Sequence, residues 1–232
     1  MFDRLKKVFS APTAQPAKPA AVLAAPPDAT SEWASSQGFS YTGMGEGKGF
    51  AMTGLVAGRP WKLERGRSSR DYIHGEELRA RAELKINDDV SVLLMNRPLK
   101  EALEKRAYSM YTDTLQTIAD PNLPEEMRWL AMYPEVGWNS LDKSFRERYA
   151  VLADDRDHAL ALLDHNLVRL LMSWPDPASD EQVPFMLMLL RGKGYLRMQY
   201  TPADMPTLEH AARIFVRACE SAVAGLGADI SL

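Results

Sequence analysis

The chain has 232 residues, 46% of them hydrophobic and 25% charged, with a formal net charge of −3 and a pI near 5.9. That is the composition of a globular protein, and its mild acidity excludes the basic footprint of a general nucleic-acid binder. The single cysteine, Cys219, excludes an internal disulfide and a cysteine-based zinc cluster, and no apolar run approaches the roughly 18 residues of a membrane-spanning helix.

Residues 1–10 read MFDRLKKVFS. On a helical wheel Phe2, Leu5 and Phe9 share one face with Val8 at its edge, while Arg4, Lys6 and Lys7 occupy the flanks and the opposite side. This spacing predicts a short basic amphipathic docking helix for an anionic membrane surface or a groove on a partner protein. Charges interrupt the apolar residues, so the segment does not read as a signal peptide. Residues 11–30 hold five prolines and eight alanines with no aromatic residue, which predicts a disordered, partly polyproline linker.

The globular body is expected over residues 31–232, with 31–143 and 144–232 as candidate sub-domains. A short helix is predicted at 31–38, opened by Ser31 and stopped by Gly38. Residues 49–56 and 59–66 read as two strands joined through Ala57-Gly58, with Trp61 and Leu63 alternating against Lys62 and Glu64. Residues 77–86 alternate again, with Leu78, Ala80, Ala82, Leu84 and Ile86 on one face. Residues 90–95 form a fourth strand, and a helix follows from Pro98 to about Tyr108, with a possible extent to Thr117. Another short helix is predicted at 125–132.

In the second half, residues 145–153 read as a strand. Asp154 or Asp155 then caps one leucine-rich helix that runs through Leu160, Leu163, Leu167 and Leu170 to Trp174. Residues 185–190 and 195–200 flank Arg191-Gly192-Lys193-Gly194 as a hairpin. A last helix begins at Thr207 and buries Leu208, Ala211, Ile214, Phe215 and Ala218. This order of elements predicts an α+β fold with a mainly antiparallel sheet and helices packed on one face.

The hairpin Gly54-Leu-Val-Ala-Gly58-Arg59-Pro-Trp61-Lys-Leu63-Glu64 and the junction Phe145-Arg-Glu-Arg-Tyr149-Ala-Val151, with its following aspartates and Leu162-Leu163, resemble a group of bacterial α+β proteins that carry no assigned activity. The resemblance covers about residues 38–200. It implies a bacterial origin and an α+β fold, and transfers no catalytic residue. Several members of that group have N-terminal spanning segments, where this chain has the short amphipathic peptide.

Candidate chemistry is sparse. The alternating glycines of GMGEGKG lack the helix that a phosphate-binding loop opens, so a flexible loop is expected there. Arg59, Lys62, Arg65, Arg79 and Arg81, with Arg67 and Arg70 nearby, form a candidate anion or partner surface, interleaved with Glu64, Glu76, Glu77 and Glu83. His158 and His165 stand seven apart on one predicted helix, too far for one metal ion. Ser68, Ser69, Asp71 and His74 can be drawn as a hydrolase set, but no nucleophile-elbow motif supports it. Trp129, Tyr133 and Trp138 are a candidate aromatic partner patch, with burial over the sheet as the favoured alternative, and Met186 and Met188 read as core. No catalytic pair, metal set or cofactor motif is read.

The leading expectation is a non-enzymatic, cytoplasmic interaction or adaptor protein, peripheral at the inner membrane face if residues 1–10 dock there. Its partner would be a protein or an anionic membrane surface and not nucleic acid. The alternative is an enzyme acting on an anionic substrate at the arginine-rich sheet. No motif specifies an oligomeric state.

Overall fold

The structure is a computed structural model that describes residues 28–45, 49–111, 125–137, 141–176 and 178–227. The docking peptide, the linker up to residue 27, Trp138 and the helix extension beyond Tyr111 lie outside the described residues. Eight strands form one sheet in the order β1-β2-β3-β4-β8-β7-β5-β6, and every neighbouring pair is antiparallel. They are β1 (Ser40–Gly43), β2 (Phe50–Val56), β3 (Arg59–Arg67), β4 (Glu76–Glu83), β5 (Ser91–Asn96), β6 (Tyr149–Ala153), β7 (Phe185–Leu190) and β8 (Lys193–Gln199). The expected α+β class with an antiparallel sheet is therefore the observed one.

The β7–β8 hairpin inserts between β4 and β5. Strands from residues 31–143 and from 144–232 thus pair within one sheet. Both hairpin turns have two residues, Ala57-Gly58 at φ 47 and 69 and Arg191-Gly192 at φ 51 and 69. Paired positive φ values are what a type I′ turn requires, and its twist matches that of the flanking strands. The predicted four-residue turn is corrected accordingly: Lys193 and Gly194 already pair with Leu190 and Leu189.

The larger helical layer consists of α1 (Ala29–Ser36), α5 (Arg156–Leu162), α6 (His165–Leu171) and α7 (Met205–Leu226). With it the face of the sheet bearing Met52, Leu63, Leu78, Leu94, Leu187 and Leu196 forms the main core, which also takes Phe145 of α4 (Lys143–Arg148). Asp28 caps α1 by accepting the Ser31 N–H at 2.8 Å, so the helix starts two residues before its predicted Ser31. Asp204 caps α7 by accepting the Thr207 N–H at 2.8 Å, with Pro206 in the first turn. Thr207 is therefore a helical residue rather than the cap. Leu208, Ala211, Ile214, Phe215 and Ala218 are buried as their spacing predicts.

Two further expectations are corrected. Residues 145–148 are helical, because Phe145 and Tyr149 stand one turn apart and both face the core, with ring centroids 5.3 Å apart. The long leucine helix is two helices. Leu163 leaves helical geometry at φ −88, ψ 65, and Asp164 recaps the chain by accepting the Leu167 N–H at 2.8 Å. Asp164 also accepts from Ser221 Oγ at 2.8 Å and pairs with Arg217, which ties the start of α6 to α7.

A smaller layer, α2 (Arg97–Tyr111) and α3 (Glu125–Met132), covers the opposite face over β5, β6 and β7. Leu93, Met95, Leu99, Leu103, Trp129 and Met186 pack there. The remainder of that face, over β2, β3, β4 and β8, carries no helix among the described residues.

Candidate functional site

The uncovered half of the sheet forms a trough of about 1030 Å³. Strand pleat decides which side chains enter it, since successive residues point to opposite faces. On β3, Trp61 and Leu63 belong to the main core, so Lys62 and Glu64 face the trough. On β4, Leu78, Ala80 and Ala82 face the core, which sends Glu77, Arg79, Arg81 and Glu83 to the other side. On β8, Tyr195 and Arg197 join them, and Thr53 and Leu55 contribute from β2. Met188 stands at the wall toward the α2–α3 layer, and residues 37–40 form the opposite end.

The five basic residues expected to form one surface are divided by this parity. Lys62, Arg79 and Arg81 line the trough. Arg59 and Arg65 share the parity of Trp61 and Leu63 and lie on the helix side of β3. Arg65 is engaged there by Glu76, which accepts from its Nε and Nη2 at 2.8 Å each, and its guanidinium lies 5.9 Å over the Tyr200 ring. The single Arg-rich face is therefore corrected to a smaller one, which Arg197 completes.

Most charges on the open face are paired. Lys62 lies 2.6 Å from Glu64, and Glu83 takes Arg81 at 2.5 Å and Lys193 at 3.6 Å. The hydrogen bond from Arg81 holds the Glu83 carboxyl below its ordinary range. Where α3 and residues 68–75 close the trough, a buried ion cluster forms. Glu126, 2% exposed, accepts from Arg197 at 3.0 Å and from Tyr72 at 3.3 Å, and pairs with Arg70. Burial, reinforced by the Glu126 charge, pushes the Tyr72 hydroxyl up to about 12. Glu77, fully buried, accepts the Ser69 N–H at 2.7 Å, and its other oxygen lies 3.0 Å from Arg197 Nε without hydrogen-bond alignment.

Arg79 differs from these. Among the described residues no carboxylate lies within 4.0 Å of its guanidinium, and its Nε is buried without a hydrogen-bond partner. Glu64 is its register partner on β3, yet Glu64 turns to Lys62. Its partner on β8 is Arg197. On the core side of β3, Trp61 is 3% exposed, packs against Phe215 of α7 and has an indole N–H with no acceptor among the described residues.

The other candidates are not brought together. His158 lies on α5 with its Nδ1 3.1 Å from Asp154 Oδ2, whereas His165 opens α6. Ser68 Oγ donates to the Arg70 carbonyl, Asp71 pairs with Arg106, and the His74 N–H donates to Gln199, so no triad forms. Trp129 is buried and the Tyr133 hydroxyl donates to Ser91 Oγ at 3.0 Å, which makes them packing residues rather than an exposed aromatic patch. Gly49 at φ 96 starts β2, where a Cβ would meet the Arg65 carbonyl at 2.0 Å, so that glycine serves close strand approach. Cys219 is buried against α7's neighbours and its thiol is pushed up by burial, as for a core residue. No group of metal-ligating side chains is present among the described residues, and no described helix is long and apolar enough to cross a membrane.

Glu126 and Arg197, which were not singled out by sequence, and Glu77, named only as an acid interleaved with the arginines, carry buried charge near the trough. Parity with Arg79 and Tyr195 marks Glu77 and Arg197 as facing the trough side, but only the docking of α3 and residues 68–75 buries Glu77 and Glu126.

No protein-family model matches the chain, and no curated protein matches it. Among solved structures, the mycobacterial trehalose monomycolate transport factor A, TtfA, is similar at 13% identity with a TM-score of 0.45, over 82% of this chain and 90% of that chain.

Proposed function

We propose that the protein is a non-enzymatic interaction module that receives a partner protein on the open face of its sheet. One observation carries this reading: a sheet covered on one face by four helices and on part of the other by two leaves a trough of about 1030 Å³. An apolar groove of this kind can receive a polypeptide segment that lays its apolar side chains into it. Leu55, 71% exposed on the trough, adds an apolar contact that the fold itself leaves unused. Acid–base chemistry on an anionic substrate fits less well. A general acid needs a raised carboxyl pKa, whereas Arg81 lowers that of Glu83, and Glu64 is held by Lys62.

The basic amphipathic residues 1–10 supply a second, separate contact in this reading, to an anionic membrane surface or to a partner's groove.

The test places a photo-crosslinking amino acid at Thr53 and Leu55, with exposed Lys143 as the control position. Discrete protein adducts from the two trough positions in cells, and none from Lys143, support the reading. Absence of adducts from the trough, or the same adducts from Lys143, overturns it.

A further inference from the structure

Charge on the open face is matched except at one position. Glu64 holds Lys62, Glu83 holds Arg81 and Lys193, and Glu77 and Glu126 hold Arg197. Arg79 stands among them with no carboxylate within 4.0 Å among the described residues and with its Nε buried and unpartnered. Arg197 lies directly across the β4–β8 ladder from it, and like charges directly opposite on a sheet are destabilising. Among the described residues, no acid therefore satisfies this guanidinium.

Building on the docking reading above, we propose that Arg79 is the specificity residue of a site for one carboxylate side chain of the partner polypeptide, a glutamate or aspartate flanked by apolar residues. Three arguments select this occupant. The planar guanidinium fork matches a carboxylate in bidentate geometry. A carboxylate brings one negative charge, which neutralises the one guanidinium left over. A phosphorylated side chain brings about −1.5 to −2 and would be repelled by Glu64, Glu77 and Glu83 alongside. Finally, Leu55, Pro60 and Met188 line the same trough and offer apolar contact to the residues beside the acid.

The test uses the full chain and two blocked peptides, acetyl-Ala-Leu-Glu-Leu-Ala-amide and its glutamine counterpart, followed by the Arg79 Nε–H and Leu55 backbone N–H resonances. The expected result is a saturable shift with the glutamate peptide at millimolar concentration and binding at least about tenfold weaker with the glutamine peptide, which is a difference of 1.4 kcal/mol or more. Arg79→Met removes the shift of the Leu55 resonance and melts at the same or a higher temperature, because an unpaired charge has been taken out. Arg79→Lys keeps the charge, loses the fork and binds more weakly than the parent. Arg59→Ala, on the helix side of β3, leaves peptide binding unchanged.

The proposal is overturned by equal binding of the two peptides, by no saturable shift with the glutamate peptide, or by retained binding in Arg79→Met. Inorganic phosphate saturating the same resonances at lower concentration than the glutamate peptide also overturns it, in favour of a phosphate site. If Thr53 and Leu55 still crosslink a partner while any of these results holds, the docking face stands and the carboxylate assignment alone falls.

Discussion

His210 lies within the main core, 4% exposed, with its Nε2 2.8 Å from the Leu170 carbonyl and its ring 4.8 Å from Trp174. Burial, with a smaller contribution from Arg213, lowers its pKa below the ordinary value of 6.5. The folded state therefore binds this proton less readily than the unfolded chain. The stability His210 contributes is fully present above the unfolded value and is lost as pH falls below it through the lower folded pKa. The melting temperature is expected to fall between about pH 7 and pH 5, and His210→Gln to flatten that slope. A slope unchanged in the variant assigns the effect elsewhere. Asp164 has the same sign in a more acidic range. Burial raises its pKa, but the Leu167 N–H, Arg217 and Ser221 together hold it below 3.8, so its contribution is lost only in more acidic solution. Glu126 tests the ion cluster. Glu126→Ala leaves Arg70 and Arg197 without their shared acceptor, and removing one partner of a buried pair costs about 3–5 kcal/mol. Urea melts of the variant measure this, and a loss under about 1 kcal/mol would show the cluster to be solvent-screened like a surface pair.

At the scale of elements, the β7–β8 hairpin depends on two glycines for different reasons. Gly192 takes the positive φ of the turn, and a Cβ there would also meet Asp88 Oδ1 at 2.6 Å. Gly194 sits inside β8, where a Cβ would meet Cys219 Sγ at 3.2 Å and Leu84 Cδ1 at 3.3 Å. Gly194→Val is expected to destabilise through overpacking by about 1–3 kcal/mol. Cys219→Ala should recover part of that loss in a double-mutant cycle, because the sulfur is the nearest atom. Additive effects would show that packing against α7 is not the cause. The break between α5 and α6 rests on Asp164. Asp164→Ala removes a cap worth about 1–2 kcal/mol and unties α6 from α7. Faster amide exchange confined to α6 is the expected signature, and equal acceleration across α5, α6 and α7 contradicts a local role.

At the scale of the whole molecule, an eight-stranded sheet is sealed on one face and half-sealed on the other. That asymmetry leaves the outward side chains of β2, β3, β4 and β8 uncovered among the described residues. In the proposed reading, residues 1–10 add a contact separate from this face. Phe2, Leu5 and Phe9 each contribute about 1.5–3 kcal/mol if fully buried, and each nearby Lys or Arg about 1 kcal/mol at an anionic bilayer. A ten-residue helix is too short to be stable alone in water, so ordering on contact offsets part of the gain. Weak, reversible binding to anionic vesicles is expected in co-sedimentation, reduced by Phe2→Asp/Phe9→Asp and by high salt. Binding that is insensitive to the double substitution contradicts an amphipathic docking face.

The sequence by itself determined what local pattern controls. Period-two alternation marked β3 and β4, because one face of each is apolar and the other charged. Glycine-bearing turns fixed both hairpins, and a proline followed by acidic residues opened α3 within the predicted bounds. The parity that separates Lys62 and Arg79 from Arg59 and Arg65 was also legible, since Trp61 and Leu63 set it. Only the tertiary structure decided the rest. Four-residue β1 carries too little pattern to be read, and Phe145 with Tyr149 fits a helical turn or a strand equally until Phe145 meets the core. The Leu163 break is invisible to leucine spacing, because Asp164 becomes a cap only when Arg217 and Ser221 of α7 receive it. Insertion of β7–β8 between β4 and β5 is a long-range choice with no local signal, and it alone places Arg197 opposite Arg79. The unmatched guanidinium at the candidate site is thus a product of strand order: the residues are written in the sequence, but their opposition exists only once the sheet has closed around the inserted hairpin.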